Sequence, residues 1–352
     1  MKNLEFNKKK IASLILASEL ILCPIEGTSS TTSTNSNTTS QEDYIETVRM
    51  AKITGNNVNI RSNPSTRSDI IGFADVTDYF EIIDEVDDWY QIKYLNTTAY
   101  VTKRYARETY IEKENLNFRS IVYLTCESTF YRDLSFNQYT TLPQYQNAFV
   151  ISETSGYYKA MVDGVVGYIR KSDTRSLSNT CVIIDLSRQM LRVYKNTKEV
   201  GRYHIISGRE SMQTRLGCFR IGHKLTDYQL TPDNFVHYWI QYDGNIGIHD
   251  ASWQKDSNYT YVTNHAYSRF GRGNGRCYPD KYGSHGCDNM RESDAREVYN
   301  LVHKNDNVLV IGPNNLIRLR LISDIINEYF LANSEYYFDY DEIDIPKIKK
   351  LV

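Results

Sequence analysis

From Val48 to Gly312 the chain is written in short runs of β-branched and aromatic residues, broken by Asn, Asp, Pro and Gly. Runs of that length with that punctuation suit strands and turns and leave room for little helix. "VNIRSNPS", "DIIGFADVTDYFEIIDEVDDWYQIKY" and "TTAYVTKRYA" follow this style early on. "CVIIDLSRQMLRVYKNTKEVGRYHIISG", "LGCFRIGHK", "VHYWIQYDGNIGIHD" and "NVLVIG" repeat it after Asn179. The fold class expected is mainly all-β: small β-barrel modules, then a β-sandwich with one docked helix. A hairpin is expected at Lys198-Glu199. The helix starts after "RES", with Ser293 as its cap, Asp294 in its first turn, and Ala295, Val298, Tyr299 and Val302 on one face.

Composition sets the outer bounds. At 352 residues and 41% hydrophobic, the chain is too long for one small core, and two or three domains are expected. Forty-one basic against 43 acidic residues give no electrostatic reason for a nucleic-acid partner. "NKKK" followed by the apolar "IASLILASELILCPI", interrupted by Glu19, reads as a signal peptide or membrane anchor over 1–27. Cys23 suggests lipidation, but Leu22 stands where a small residue is expected. The Ser/Thr/Asn-rich stretch that follows cannot bury enough apolar surface to fold, so 28–47 is expected to be a flexible linker. An extracytoplasmic protein is expected, touching the membrane only through its N-terminal segment. At the other end, 313–352 reads as a helix ("LISDIINEYF") and an acidic, finally basic tail.

The chemistry-bearing phrase is "YGSHGCDNM", with Cys287 on a glycine-bounded loop ahead of the helix. A free cysteine is most often a small buried hydrophobe. Around this one, Gly283, Ser284, His285 and Gly286 offer no apolar periodicity, which favours exposure, and Gly286 permits unusual dihedrals. His249, His265, Cys277, His285 and Cys287 would suffice for zinc by type, yet no C-x2-C or H-x3-H unit occurs. A nucleophile needs a base within reach and donors for an oxyanion. "GNIGIHDASW" supplies His249 at the end of a strand phrase, followed by Asp250. Cys126, Cys181, Cys218 and Cys277 could form disulfides in an oxidising exterior, whereas Cys287 is expected to be free and alone to label rapidly.

Residues 48–107 resemble bacterial SH3 domains in the order of "VNIRS", Ile70-Ile71-Gly72, "WYQI" and "AYV". Asn63 and Ala99 stand where that family commonly has glycine. A weaker, degenerate copy over 113–175 echoes it in Gly156-Tyr157-Tyr158 and Gly167-Tyr168-Ile169. The resemblance implies SH3-like barrels that contact the cell wall.

Residues 179–312, with "VIIDLSRQMLRVY", "TRLGCFRI", "IGIHDASW" and "GSHGCDNM", resemble the YkuD-type L,D-transpeptidase catalytic domain. That resemblance implies Cys287 as nucleophile, His249 as general base and the Asp250 carbonyl orienting the imidazole through Nδ1. Gly286, Ser284, His285 and Asn289 would form the oxyanion and substrate-binding loop. Implied partners are peptidoglycan stem peptides, as donor and acceptor, joined 3-to-3 through a thioester, with no cofactor and no metal. Acylation of Cys287 by carbapenems is implied as well. L,D-carboxypeptidase or cysteine peptidase action, or an inactive wall-binding role, are the alternatives. Three departures stand out: Asp288 replaces a hydrophobic residue, Arg215 replaces a proline, and 34 residues separate His249 from Ser284. The insertion 254–280, within that gap, reads as a flap or a surface loop.

Overall fold

The computed structural model describes residues 45–251 and 283–312, apart from Thr77, Glu210 and Asp233. The expected signal or anchor, most of the linker, the insertion 254–280 with His265 and Cys277, and the tail 313–352 lie outside these residues. Within them the chain is mostly strand with one helix, and that helix is too short to cross a membrane.

The first module holds β1 (Thr47–Ile53), β2 (Val58–Arg61), β3 (Ile70–Ala74), β4 (Tyr79–Val86), β5 (Trp89–Tyr94), β6 (Thr97–Thr102) and β7 (Ala106–Glu112). They hydrogen-bond in the order β3-β2-β6-β5-β4-β1-β7. Alternation decides which face is apolar: in "VNIR", Val58 and Ile60 are buried and the two polar residues are not. With Ile53, Phe80, Ile92 and Val101 they close a core of the module's own.

The second module repeats this arrangement with β8 (Ser120–Leu124), β9 (Ser128–Tyr131), β10 (Tyr139–Leu142), β11 (Asn147–Glu153), β12 (Tyr157–Val162), β13 (Val165–Arg170) and β14 (Thr174–Ser176). The order is β10-β9-β13-β12-β11-β8-β14, so subtracting seven from each label returns the first module. Leu124, Phe130, Leu142, Val150 and Ile169 form its separate core.

The remaining strands form two sheets. One is β17 (Lys198–His204), β16 (Met190–Lys195), β15 (Thr180–Asp185), β23 (Asn307–Ile311) and β18 (Gly217–Arg220), in that order. The other is β19 (Lys224–Thr231), β20 (Asn234–Asp243), β21 (Ile246–Asp250) and β22 (Asp288–Met290). Val182, Ile184 and Leu191 from the first meet Ile240, Ile248 and Met290 from the second in one apolar cluster, the interior of a sandwich. Helix α1 (Glu292–Leu301) adds Ala295 and Val298 to it.

Two local expectations are corrected. The β16–β17 hairpin turns at Asn196-Thr197, both at positive φ, while Lys198 and Glu199 already lie in β17. Asparagine tolerates the left-handed region a two-residue turn of this hand needs, and lysine and glutamate have no such preference. The residue preceding α1 is Arg291, without a side-chain cap; Ser293 lies inside the helix, its hydroxyl donating to Asp294.

Candidate active site

The site grows from the second sheet. β20 and β21 pair antiparallel, with Trp239 opposite His249, and β22 returns parallel to β21, with Asn289 opposite His249 and Asp288 opposite Ile248. A parallel pair cannot be joined by a tight turn, which suits the long stretch of sequence between Asp250 and the Ser284–Cys287 loop. The separation of His249 and Ser284 in sequence is therefore compatible with adjacency in space.

His249 is 2% exposed. Its Nδ1 lies 2.8 Å from the Asp250 carbonyl oxygen, which can only accept, so Nδ1 carries the proton and Nε2 the lone pair. Burial holds the imidazole below its usual pKa, so the ring is neutral at pH 7, as a base must be. Trp239 flanks it at 5.5 Å between ring centroids and is itself stacked on Tyr228. The Asp250 side chain accepts the Tyr238 N–H at 2.8 Å, fixing the strand end that orients the ring.

Cys287 is buried, at 9% exposure, against Val236 and Trp239, which corrects the expectation that the glycine-rich loop would expose it. The loop folds back onto the sheet, so apolar side chains from β20, distant in sequence, cover the sulfur. Burial pushes the thiol up to about 12, and an opposing pull comes from the Gly247 N–H directed at it. The resting state is a thiol, and a thiolate forms only if a base takes the proton during attack. Gly247 leaves room here: a Cβ on it would lie 2.9 Å from the Trp239 ring.

Short hydrogen bonds staple the loop. The Ser284 hydroxyl donates to the Cys287 carbonyl at 2.5 Å and accepts from the Gly286 N–H at 3.0 Å. An oxyanion meeting that N–H must therefore compete with Ser284. Gly286 has φ +114, and a Cβ would sit 2.9 Å from Ile246, so glycine is required. His285, between them, is exposed. Asn289 is buried, and its backbone exchanges two 2.9 Å hydrogen bonds with Ile206.

Residue-level reading missed Thr214 and Trp239. Thr214 accepts the Gly208 N–H at 2.9 Å and donates to the Gly286 carbonyl at 2.8 Å, tying "ISG" to the Ser284–Cys287 loop. Its position in "TRLGCFRI" was the available signal; Trp239 had none, because only strand register sets it beside His249.

Cys126, Cys181, Cys218 and Cys287 are all free. Cys126 is exposed and Cys287 is not, so rapid labelling is not reserved to Cys287. Among the described residues no group of three His, Cys, Asp or Glu side chains could hold a metal ion.

Residues 179–310 match the YkuD family, described as the L,D-transpeptidase catalytic domain, and residues 56–106 match the bacterial SH3 domain. No curated protein matches the chain. Among solved structures, an Enterococcus faecium L,D-transpeptidase mutant is 28% identical over 38% of this chain and 50% of that one, with a TM-score of 0.31. The catalytic domain of an E. faecium L,D-transpeptidase is 28% identical over 38% of this chain and 98% of that one, TM-score 0.30. An L,D-transpeptidase from Stackebrandtia nassauensis is 22% identical over 38% of this chain and 56% of that one, TM-score 0.29. The chain thus spans about half the length of two of these relatives. By its family matches, the chain carries an L,D-transpeptidase catalytic domain at 179–310, preceded by a bacterial SH3 domain at 56–106.

Proposed function

We propose that the chain is a peptidoglycan L,D-transpeptidase that forms 3-to-3 cross-links between stem peptides, with Cys287 as nucleophile and His249 as general base. The observation that supports this most is the β21–β22 register, which brings the nucleophile loop to the strand end where His249 is buried, neutral and held through Nδ1. As the sulfur attacks the carbonyl of the third stem residue, Cys287 gives its proton to Nε2. The same proton passes to the amine of the departing D-alanine as the C–N bond breaks, leaving a thioester. An acceptor amine then loses a proton to His249 and attacks the thioester, and the regenerated thiolate is reprotonated. Two half-reactions sharing one base give ping-pong kinetics.

In the same reading Asp250 orients the base, Ser284, Gly286 and Asn289 shape the loop, and His285 is the exposed contact for substrate. The chemistry needs no metal or cofactor. The modules at 48–107 and 113–175 act as wall contacts; the shared strand order supports treating the second as a degenerate SH3-like copy. The protein then works outside the cytoplasm, at the cell wall.

The test is incubation with disaccharide-tetrapeptides, with adducts and products read by mass. Cross-linked dimer and a thioester on Cys287 are expected. Loss of alanine without dimer would indicate L,D-carboxypeptidase action, and absence of any adduct in the folded protein would leave a wall-binding role. Cys287→Ala abolishes the adduct, and His249→Ala lowers turnover by about 10²–10⁴-fold.

A further inference from the structure

Asp288 is fully buried, directly after the nucleophile, where a hydrophobic residue was expected. Cys287, in the loop just before β22, packs against Val236 and Trp239, whereas Asp288, the first residue of β22, sits against Tyr242. Asp288 faces inward, where its Oδ2 accepts the Tyr242 hydroxyl at 2.6 Å; among the described residues its Oδ1 has no partner.

The donor is placed by a specific irregularity. The β20–β21 register shifts between Gln241 and Asp243, so Tyr242 is the extra residue of a β-bulge, a device that re-aims a side chain. Its ring packs on Phe219 at 5.4 Å, and Phe219 carries the Arg215 guanidinium over its face at 5.2 Å. Arg215 in turn pairs with Asp243, next to the bulge. Two of the sequence's departures, Arg215 and Asp288, are therefore ends of one connected chain: Arg215, Phe219, Tyr242, Asp288.

We propose that Asp288, held by Tyr242, is a positioning residue that governs the reactivity of Cys287: the neutral carboxyl lets the sulfur release its proton, and the ionised carboxylate opposes it. The inference rests on Cys287 being the nucleophile. Burial pushes Asp288 up to about 7, while the hydrogen bond from Tyr242 pulls it down. The charge of Asp288 in turn raises the Cys287 thiol. Tyr242 faces the carboxyl from β20, Cys287 precedes it in the loop that enters β22, and Asp243 and Arg215 stand behind Tyr242. Burial holds His249 below its ordinary value.

The experiment is alkylation of the full chain by iodoacetamide from pH 5.5 to 9, with the Cys287 peptide quantified separately from exposed Cys126. In the native protein the Cys287 rate climbs less steeply once Asp288 ionises. Asp288→Asn keeps an acceptor for Tyr242 and stays neutral; it matches the native rate within about twofold at pH 5.5. At pH 9 it exceeds that rate by roughly tenfold, the effect of lowering the thiol pKa by about one unit. Tyr242→Phe moves the break in the native profile to higher pH, and this arm decides alone if the asparagine variant does not fold. Superimposable profiles for native and Asp288→Asn, or an unmoved break in Tyr242→Phe, overturn the proposal. Transpeptidation, assayed separately, can fail with the alkylation profiles intact, which would remove the enzymatic reading and leave this one.

Discussion

Asp78 of the first β module lies buried between two arginines of the catalytic sheets, whereas Ile121 and Leu177, at the ends of the second module, pack into an apolar cluster. In the first junction Arg202 reaches Asp78 at 2.6 Å and the Phe73 carbonyl at 3.1 Å, Arg192 reaches Asp78 at 3.0 Å, and Phe73 and His204 are 4.1 Å apart by ring centroid. In the second, Ile121, Phe149 and Leu177 meet Cys181, Ile183, Tyr194 and Leu309. Two modules with one strand order thus differ in these contacts, one centred on a buried ion pair and the other on apolar packing. Apolar burial is non-directional and stabilises the second junction through area. Buried charges must be desolvated, and their attraction roughly balances that penalty, so the first junction fixes orientation more than it adds stability. Removing Asp78 is a different matter: Arg202 keeps Glu199 at 2.5 Å, but Arg192 loses the carboxylate it pairs with.

The largest effect follows from that asymmetry. Asp78→Ala strips Arg192 of its carboxylate while Arg202 keeps Glu199, and denaturant unfolding should show a loss of about 3 kcal/mol, the low end for breaking a buried pair. If Asp78→Ala and a double variant lacking both Asp78 and Arg202 are equally destabilised, the junction is not held by this pair. Next comes the apolar junction: Ile121→Ala should cost about 2–4 kcal/mol, with the same midpoint shift at pH 7 and pH 3. Equal acid sensitivity of the two variants would erase the contrast.

A graded effect follows on acidification. Arg202 and Arg192 overcome the burial of Asp78 and hold its carboxyl well below the usual range. A depressed carboxyl contributes stability that is present above its unfolded value, near pH 4, and is lost as pH falls toward the folded one. Protease sensitivity near Phe73 should therefore rise from about pH 4 downward, and Asp78→Asn should lack that rise. Asp163 of the second module, raised by burial and partly offset by Arg188, works with the opposite sign. The smallest change is expected at the first module's surface: Arg49→Ala removes exposed pairs with Glu85 and Glu108 and should leave the unfolding midpoint unmoved.

Much of the fold was legible because period-two alternation is local. "VNIR" declares its buried face without help, and "WYQI" and "AYV" follow the same rule. The phrases carrying His249 and Cys287 stand out in the sequence too, since glycine spacing around a cysteine is written along the chain. Burial of Cys287 was not legible, because its cover comes from Val236 and Trp239, about 50 positions earlier. Thr214 and Tyr242 were hidden for the same reason: each acts across a gap that only folding closes.

The sequence by itself determined strands, turns and the residue types able to do acyl transfer, because those depend on neighbours one to four positions away. Tertiary structure alone decided that the thiol is buried and its pKa raised above the free value, that a bulge sends a tyrosine to the Asp288 carboxyl, and that one junction centres on a buried ion pair and the other on apolar contact. These are matters of desolvation and register, and both come into being only when distant segments exclude water from one another.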